Sequence, residues 1–235
     1  MKFFFAALFA LLALVACGGE KDAGVAINGC KIEPMASCIG AYLAGAYLAG
    51  ADLNSADLTG ADLTGAYLTG ADLNKTDLTG ADLYTADLES ANLKSANLRF
   101  SNLSGANLKR ADLRLAALTG ASLAGASLKS ASLKSANLTG VNLKSADLSG
   151  ADLKSADLSG ADLTGVNLTG ANLKRANLRG AYLTDASLKG ASLKGANLTG
   201  TVLYHANLKN ADLTGANLTG TILAGANLTG TIGLP

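Results

Sequence analysis

The chain has 235 residues, of which 49% are apolar and only 5% aromatic, and its formal net charge is +1. This apolar content is enough for a sizeable core, which must be aliphatic because the chain has no Trp and few other aromatic residues. The 28 glycines recur at regular positions and do not cluster, so disorder is not expected. The near-zero net charge excludes strong binding to a polyelectrolyte through overall charge alone.

The first seventeen residues have the pattern of an export signal. Lys2 precedes an apolar run from Phe3 to Val15, which is too short to cross a membrane as a permanent helix. The run ends in Leu14-Val15-Ala16-Cys17, which resembles the lipobox of bacterial lipoproteins.

The lipobox resemblance implies a signal peptide at 1–16, lipid attachment at Cys17 and a polar tether at 17–24. It also implies a bacterial cell-envelope location, and Gly18 favours the outer membrane if the host has one. Ordinary secretion with a free Cys17 and an uncleaved membrane anchor are the alternatives.

From residue 41 to residue 230 the chain consists of 38 five-residue repeats without an insertion, on the frame Ala-Asp/Asn-Leu-X-X. Leu is third in every repeat, Ala is first in all but six, and Asp or Asn is the commonest second residue. On a helix, a five-residue step would rotate successive leucines by about 140° and scatter them around the axis, so this period excludes an amphipathic helix. In an extended segment, Ala and Leu point one way and the polar residue between them points the other way. Gly at the fifth position suits a turn that needs a positive φ. The repeat therefore predicts a β-solenoid.

Segments such as Ala56-Asp57-Leu58-Thr59-Gly60 resemble the pentapeptide-repeat family. The resemblance implies an all-β fold, a right-handed quadrilateral β-helix with four repeats per coil and about 9 to 10 coils. The frame extends backward into 36–40, so we predict an N-terminal cap with a first degenerate repeat at 25–40, the β-helix at 41–230 and an uncapped C-terminal end at 231–235.

Two cysteines lie in the predicted cap. An exported protein meets an oxidising compartment, so a disulfide between Cys30 and Cys38 is one expectation. A buried free thiol at Cys38 is the other, because this residue occupies a leucine position of the repeat frame.

Charge is unevenly distributed along the repeats, with −7 over residues 51–90 and +8 over residues 91–235. At four repeats per coil, residues twenty apart stack, so six cations are expected to form one column: Lys94, Arg114, Lys134, Lys154, Lys174 and Lys194. The adjoining face carries Lys109, Lys129, Lys189 and Lys209. The column is either a solvated surface, partly neutralised by Asp112 and Asp152, or a strip that binds a phosphate- or carboxylate-bearing envelope surface.

A second column consists of Tyr182, Val202 and Ile222, at a position where other repeats carry Asp or Asn. The family often pairs C-terminal ends into dimers, so we expect a homodimer through the C-terminal end. The alternative is that these are scattered exposed apolar residues that need no partner.

Together these patterns favour a non-enzymatic envelope lipoprotein that acts as a rigid scaffold or as a protein or polyanion interaction module. We expect no cofactor, metal or catalytic residue, because His205 lacks ligands at metal spacing and the acids are not arranged as a convergent pair. The expected partners are the membrane, through the lipid anchor, and an anionic envelope surface or a protein, but not nucleic acid.

The pentapeptide-repeat family also contains DNA-mimicking proteins that bind DNA gyrase through acidic surfaces. The basic columns, the uninterrupted frame and the export signal disfavour this alternative. An envelope enzyme is disfavoured as well, because a solenoid without an inserted loop has flat walls and no cleft.

Overall fold

The computed structural model describes residues 25–234 as a small hairpin followed by a β-helix. The predicted signal peptide, the predicted lipid-bearing Cys17 and the tether predicted at 17–24 lie outside the described residues. Over 25–234, no helix is both long and apolar enough to cross a membrane.

Two short strands begin the described chain: β1 spans Val25–Ile27 and β2 spans Cys30–Ile32, and they pair antiparallel. The turn residues Asn28 and Gly29 have φ angles of 50° and 83°. Two-residue hairpins favour such angles because the twist of the turn then matches the twist of the strands. The Asn28 side-chain amide donates to the carbonyl oxygen of Tyr42 at 2.7 Å and ties the hairpin to the first coil.

Cys30 and Cys38 are joined by a disulfide, with their Cα atoms 5.1 Å apart. Both cysteines are buried, with 2% and 3% of their surfaces exposed. Cys38 occupies the leucine position of repeat 36–40, and a parallel bridge from Ser37 to Asp57 places that repeat in the coil. The inward position that favoured a free thiol is therefore compatible with the bond, because β2 lies over the end of the core and brings Cys30 to it.

Beyond residue 36, every five-residue repeat contributes one bridging residue and one turn. The second residue of each repeat bridges in parallel to the residue twenty positions later, and these bridges run from Ser37 to Ile232. One coil therefore contains four repeats, which confirms the predicted β-solenoid. The right-handedness and the count of 9 to 10 coils stay predictions from the family resemblance.

The four repeats of a coil form four faces. The faces are labelled by their second-position residues: face A begins at Tyr42, face B at Tyr47, face C at Asp52 and face D at Ser37, and each recurs every twenty residues. Faces A and C lie on opposite sides of the coil because two turns separate them in either direction.

Backbone hydrogen bonds explain why the repeat has five residues. In repeat 61–65, the second N–H donates to the preceding coil at 2.9 Å, and the third and fifth donate to the following coil at 2.7 and 2.8 Å. The first N–H closes the turn behind it at 3.0 Å. The fourth N–H donates to the side-chain oxygen of Asp62 at 3.0 Å. All five donors of this repeat are satisfied, the fourth by a side chain of Asp geometry. Repeats with Tyr, Ala, Val or Ile at the second position cannot close the fourth bond in this way.

The core is a continuous column of aliphatic side chains. Leu at the third position is buried from Leu43 to Leu213, and Ala at the first position fills the space between leucines of adjacent faces. Each buried Leu contributes roughly 1.5 to 3 kcal/mol before the entropy of ordering is subtracted. Where Thr replaces Ala inside the core, its hydroxyl is satisfied: Thr76 Oγ1 donates to the Leu53 carbonyl oxygen at 2.7 Å.

The fifth residue of each repeat from 41 to 230 stands at a corner with φ between 53° and 71°. Gly adopts this left-handed conformation freely, as the sequence predicted, but Phe100 and Leu115 adopt it as well, with φ of 58° and 61°. Such a conformation in a bulky residue costs on the order of 1 to 3 kcal/mol and persists because the hydrogen bonds on either side determine the backbone. The Phe100 ring lies over the next corner, at Gly120.

We predict that Gly120→Ala lowers the thermal unfolding midpoint more than Gly140→Ala does. Both glycines have a positive φ at the same corner, but a methyl group on Gly120 would lie 2.8 Å from two ring carbons of Phe100, whereas one on Gly140 would meet nothing within 4 Å. Adding Phe100→Ala should remove the excess loss at Gly120 and leave the loss at Gly140 unchanged. Equal midpoints for the two single variants would contradict this prediction.

Candidate polyanion-binding strip

The six predicted cations stack on face C. Their backbones are linked from coil to coil: the N–H after one cation donates to the carbonyl oxygen of the next cation, as from Ser135 to Lys154 at 3.0 Å and from Ser155 to Lys174 at 2.9 Å. Neighbouring members are therefore about 4.8 Å apart along the axis, the spacing of bridged strands. We call this column the basic strip.

Three members of the basic strip are neutralised by acids of the same face. Lys134 and Lys194 reach the second-position Asp of the following coil at 3.1 and 3.0 Å, to Asp152 and Asp212. Arg114 turns back to the Asp of its own repeat, with its Nε 2.8 Å from Asp112 Oδ1. The bridges of Lys134 and Lys194 span eighteen residues, because a fourth-position side chain leans towards the second position one coil later.

The other three members, Lys94, Lys154 and Lys174, form no salt bridge within residues 25–234. The position eighteen residues after Lys154 is Asn172, and after Lys174 it is Ser192, so neither lysine meets a carboxylate there. The sequence pattern of six cations thus becomes three ion pairs and three unpaired charges, of which Lys94 lies near enough to Asp112 to help lower the pKa of that carboxyl. Lys154 and Lys174 occupy consecutive coils, which makes them the densest positive part of the strip.

The adjoining face B adds four lysines, as the sequence predicted. Among them only Lys129 is paired in the described chain, with its Nζ 3.2 Å from Asp147 Oδ2. Ser149 and Thr169 occupy the two positions of this column between Lys129 and Lys189. Faces B and C together therefore make one side of the rod basic.

Local contacts keep the paired acids ionised. The Arg114 guanidinium lowers the pKa of Asp112. Burial alone would raise the pKa of Asp147, but hydrogen bonds from Ser149 and the ammonium of Lys129 bring it below its usual range. The hydroxyl of Thr214, followed by the ammonium of Lys194, lowers the pKa of Asp212 to about 2.

The first coils are acidic on faces A, C and D, whereas face B carries Tyr47 and Tyr67 before its first acid, Asp87. Asp52 bridges to Asp72 on face C, and equivalent bridges join Asp57 to Asp77 on face D and Asp62 to Asp82 on face A. These carboxylates form no salt bridge within the described chain. Asn side chains of the following coil stabilise the second row, as where Asn92 Nδ2 donates to Asp72 Oδ1 at 2.9 Å.

A family model for pentapeptide repeats matches the chain in eight copies, over residues 36–74, 62–99, 96–134, 131–170, 161–200 and 196–232. The chain belongs to the pentapeptide-repeat family. The match begins at residue 36, in the degenerate repeat that contains Cys38.

Solved pentapeptide-repeat structures resemble this chain. HetL of the cyanobacterium Nostoc sp., involved in heterocyst differentiation regulation, is 41% identical over 77% of this chain and 88% of HetL, with a TM-score of 0.49. A protein of the Arabidopsis thaliana thylakoid lumen is 32% identical over 47% of this chain and 66% of its own, with a TM-score of 0.31. QnrB1, a plasmid-mediated fluoroquinolone resistance protein, is 20% identical over 72% of this chain and 90% of its own, with a TM-score of 0.37. A search of curated protein sequences finds no significant match.

The three residues of the predicted apolar column also stack on one another in the rod. Tyr182, Val202 and Ile222 bridge one another on face A, opposite the basic strip. Tyr182 and Ile222 are 53% and 49% exposed, whereas Val202 is half-buried. The self-association predicted for this column stays a prediction. Nearby, the ring of His205 lies edge-on to that of Tyr204, with centroids 4.2 Å apart.

Little in the described repeats suggests chemistry on a small molecule. Residues 25–234 contain no cluster of His, Cys, Asp or Glu that could hold a metal ion. A depression at the C-terminal end is lined by Gly215, Ala216, Leu218, Thr219 and Gly233, none of which has an ionisable side chain.

We predict that Thr214→Val and Lys194→Gln each raise the pKa of Asp212 from about 2 towards the usual 3.8, because the Thr214 hydroxyl and the Lys194 ammonium both favour the ionised carboxylate. The fold holds the ionised carboxylate, so its stabilising effect is present at neutral pH and is lost as the pH falls from about 3.8 through about 2. Carboxyl NMR titration of both variants measures the two shifts. An unchanged pKa in either variant would contradict this prediction.

Proposed function

We propose that this pentapeptide-repeat protein is a non-enzymatic bacterial envelope lipoprotein whose rigid rod presents the basic strip to a phosphate- or carboxylate-bearing surface. The observation that carries this proposal is the pair of uncompensated lysines, Lys154 and Lys174, on consecutive coils of one face. Free ammonium groups attract anions, whereas groups already paired with a carboxylate contribute little net potential.

The spacing of the strip suits a polymeric or lamellar anion. The cations of the strip recur about every 4.8 Å, so a single small anion can contact only a few of them. A row of phosphate or carboxylate groups, as in lipid headgroups or an envelope polymer, can contact several of them at once. Backbone hydrogen bonds between coils hold the row straight, so little backbone entropy is lost on binding.

The location in the envelope rests on the sequence resemblance at residues 14–17. A lipid on Cys17 would hold the rod beside a membrane, which raises the effective concentration of anionic headgroups around the strip. With the right-handed β-helix of about 9 to 10 coils that the family resemblance implies, the rod would extend about 45 Å from this anchor.

A DNA-mimicking role is not proposed. A protein that mimics DNA to bind gyrase needs a strongly negative surface, but from residue 91 onwards the net charge of this chain is +8. The acidic first coils are short, since the bridged Asp pairs of faces A, C and D end at Asp82.

Polyanion binding is tested with Lys154→Gln/Lys174→Gln in a full-length Cys17→Ser background, so that lipid cannot contribute. We expect about 30-fold weaker binding to soluble polyphosphate, since each lysine near an anionic surface contributes about 1 kcal/mol. The control Arg99→Gln/Arg179→Gln removes the same charge from face D and should retain most of the affinity. Equal loss in both variants would refute a specific strip.

Phosphatidylcholine vesicles with and without phosphatidylglycerol form the second arm of this test. Binding to polyphosphate but not to anionic vesicles would identify a soluble or wall polymer as the target. Binding to anionic vesicles that the double Lys variant loses would identify a lipid surface. Failure of the parent to bind either probe at low salt would reject the proposal.

The anchor is tested separately. In a bacterial host, we expect the parent chain to fractionate with membranes and to incorporate labelled palmitate, whereas Cys17→Ser incorporates none. Cys30→Ser is the matched control, because it removes a cysteine of the disulfide outside the lipobox. Palmitate incorporation in Cys17→Ser would disprove lipidation at this residue.

A further inference from the structure

The N-terminal end of the rod exposes large apolar and aromatic side chains on three of its four faces. Ile39 lies on face D, Tyr42 on face A and Tyr47 on face B, and they are 63%, 63% and 59% exposed. Met35, at the corner before face D, and Val25, in strand β1, are 79% and 56% exposed. We call these five side chains the apolar crown. Residues 48–181 expose only four comparable side chains: Tyr67, Tyr84, Phe100 and Leu115.

The apolar crown does not serve the core. The hairpin and the Cys30–Cys38 disulfide already cover this end of the aliphatic column, and Leu43 and Leu48 of the first coil are 1% and 2% exposed. The crown side chains therefore stand outside a core that is complete without them. An apolar surface of this kind, concentrated at one end, is typical of a contact site.

Charge separates the crown from the rest of the rod. Residues 25–50 contain two charged side chains, Lys31 and Glu33, which cancel in net charge. Carboxylates begin directly after them, with Asp52 on face C and then, one coil further along, Asp57 on face D and Asp62 on face A. Carboxylates are costly to remove from water, whereas tyrosine rings favour the boundary between lipid headgroups and acyl chains. A lipid interface thus fits the crown, and the carboxylates limit how deeply the end can enter.

The predicted lipid anchor lies at the same end. Cys17 lies eight residues before Val25, and an extended chain covers at most about 3.6 Å per residue, so a lipid on Cys17 would keep strand β1 within about 29 Å of the membrane. The anchor alone would allow the rod either to lie along the membrane or to stand on its end. The crown favours the second arrangement, because its side chains surround the end and do not line one face.

We infer that the rod stands on a lipid bilayer by its N-terminal end, with the apolar crown among the headgroups and the first carboxylates in water. This inference rests on the proposed lipid anchor, and it restricts what the basic strip can reach. Five bridges along face C lead from Asp52 to Asp152, so Lys154 lies about 24 Å above the first coil and Lys174 about 29 Å above it.

This height selects among the anions of the proposed function. The screening length at physiological salt is about 8 Å, so headgroups of the anchoring membrane would attract Lys154 and Lys174 only weakly. An anionic polymer that extends from the membrane surface can reach them. The end-on orientation therefore makes the target of the basic strip a polymer.

Single-tryptophan variants test the orientation, because the chain has no Trp of its own. Tyr42→Trp and Tyr47→Trp place an indole in the crown on two faces. The matched control Ile222→Trp places one on the same face A as Tyr42, nine coils away, at a position that is 49% exposed. Each lipidated chain is purified from bacterial membranes and reconstituted into vesicles of phosphatidylcholine and phosphatidylglycerol, in which part of the lipid is brominated near the headgroup end of its acyl chains.

We expect emission that is shifted to shorter wavelength and quenched by the brominated lipid in both crown variants, and unquenched emission typical of water in Ile222→Trp. Equal quenching in all three variants, or quenching in only one crown variant, would mean that the rod lies along the membrane. Quenching confined to Ile222→Trp would reverse the orientation. Crown emission that is shifted without lipid, together with a doubled mass, would assign the crown to a second copy. Each of these results would overturn the inference, as would unquenched emission in both crown variants.

The reach of the basic strip gives a second measurement. At physiological salt, soluble polyphosphate should bind the reconstituted parent equally well on phosphatidylcholine vesicles with and without phosphatidylglycerol, because the strip lies several screening lengths above the headgroups. Weaker binding in the presence of phosphatidylglycerol would show that headgroups occupy the strip, against the end-on orientation.

Failure of the proposed function is distinguishable from failure of this inference. A quenched crown without polyphosphate binding would refute the role of the basic strip and support the end-on rod. A chain that carries no palmitate would refute the anchor, and quenching of the same chain on the vesicles would still decide whether the crown contacts lipid.

Discussion

The rod depends on backbone hydrogen bonds between coils of twenty residues. In repeats between the two ends, three N–H donors bond to neighbouring coils and one closes the turn. Where Asp or Asn is second, its side chain accepts the fourth-position N–H, as Asp157 does from Ser159 at 2.9 Å. The twelve repeats with another second residue form the same coil, so burial of the aliphatic column and the bonds between coils hold the fold, and the turn bond adds to them.

Regularity has an electrostatic consequence. Because the coils repeat every twenty residues, side chains from distant parts of the sequence lie in straight columns, and a fourth-position cation meets the second-position residue eighteen positions later. An Asp at that later position allows an ion pair that Asn or Ser cannot form, although Lys94 stays unpaired because Arg114 binds Asp112. Lys134 meets Asp152 and is paired, whereas Lys154 meets Asn172 and is not. A change of the outward residue in a single repeat can thus leave a lysine unpaired without disturbing the core.

The two ends of the rod differ in how far their core leucines are covered. At the N-terminal end the hairpin and the Cys30–Cys38 disulfide cover the first coil. At the C-terminal end of the described chain, Leu218, Leu223 and Leu228 are only partly buried, because no coil in residues 25–234 follows them. A β-helix gains stability from each neighbour, so local stability should fall towards this end.

The sequence by itself determined the solenoid and the buried Leu column, because a strict five-residue period places its apolar residues on one side of each extended segment. Stacking every twenty residues was expected only from the resemblance to the pentapeptide-repeat family, and the bridges between coils confirm it. It also predicted the positive φ at corners occupied by Gly. It did not predict that Phe100 adopts the same φ, since local preference opposes this and only the hydrogen bonds of adjacent coils impose it. The choice between a disulfide and a free thiol at Cys38, and the division of six stacked cations into paired and unpaired members, were decided by tertiary structure. The disulfide joins residues eight apart and the Lys134–Asp152 pair joins residues eighteen apart, and composition and period do not contain such distances. Arg114 instead binds the Asp two residues before it, a choice of side-chain conformation that the pattern does not specify.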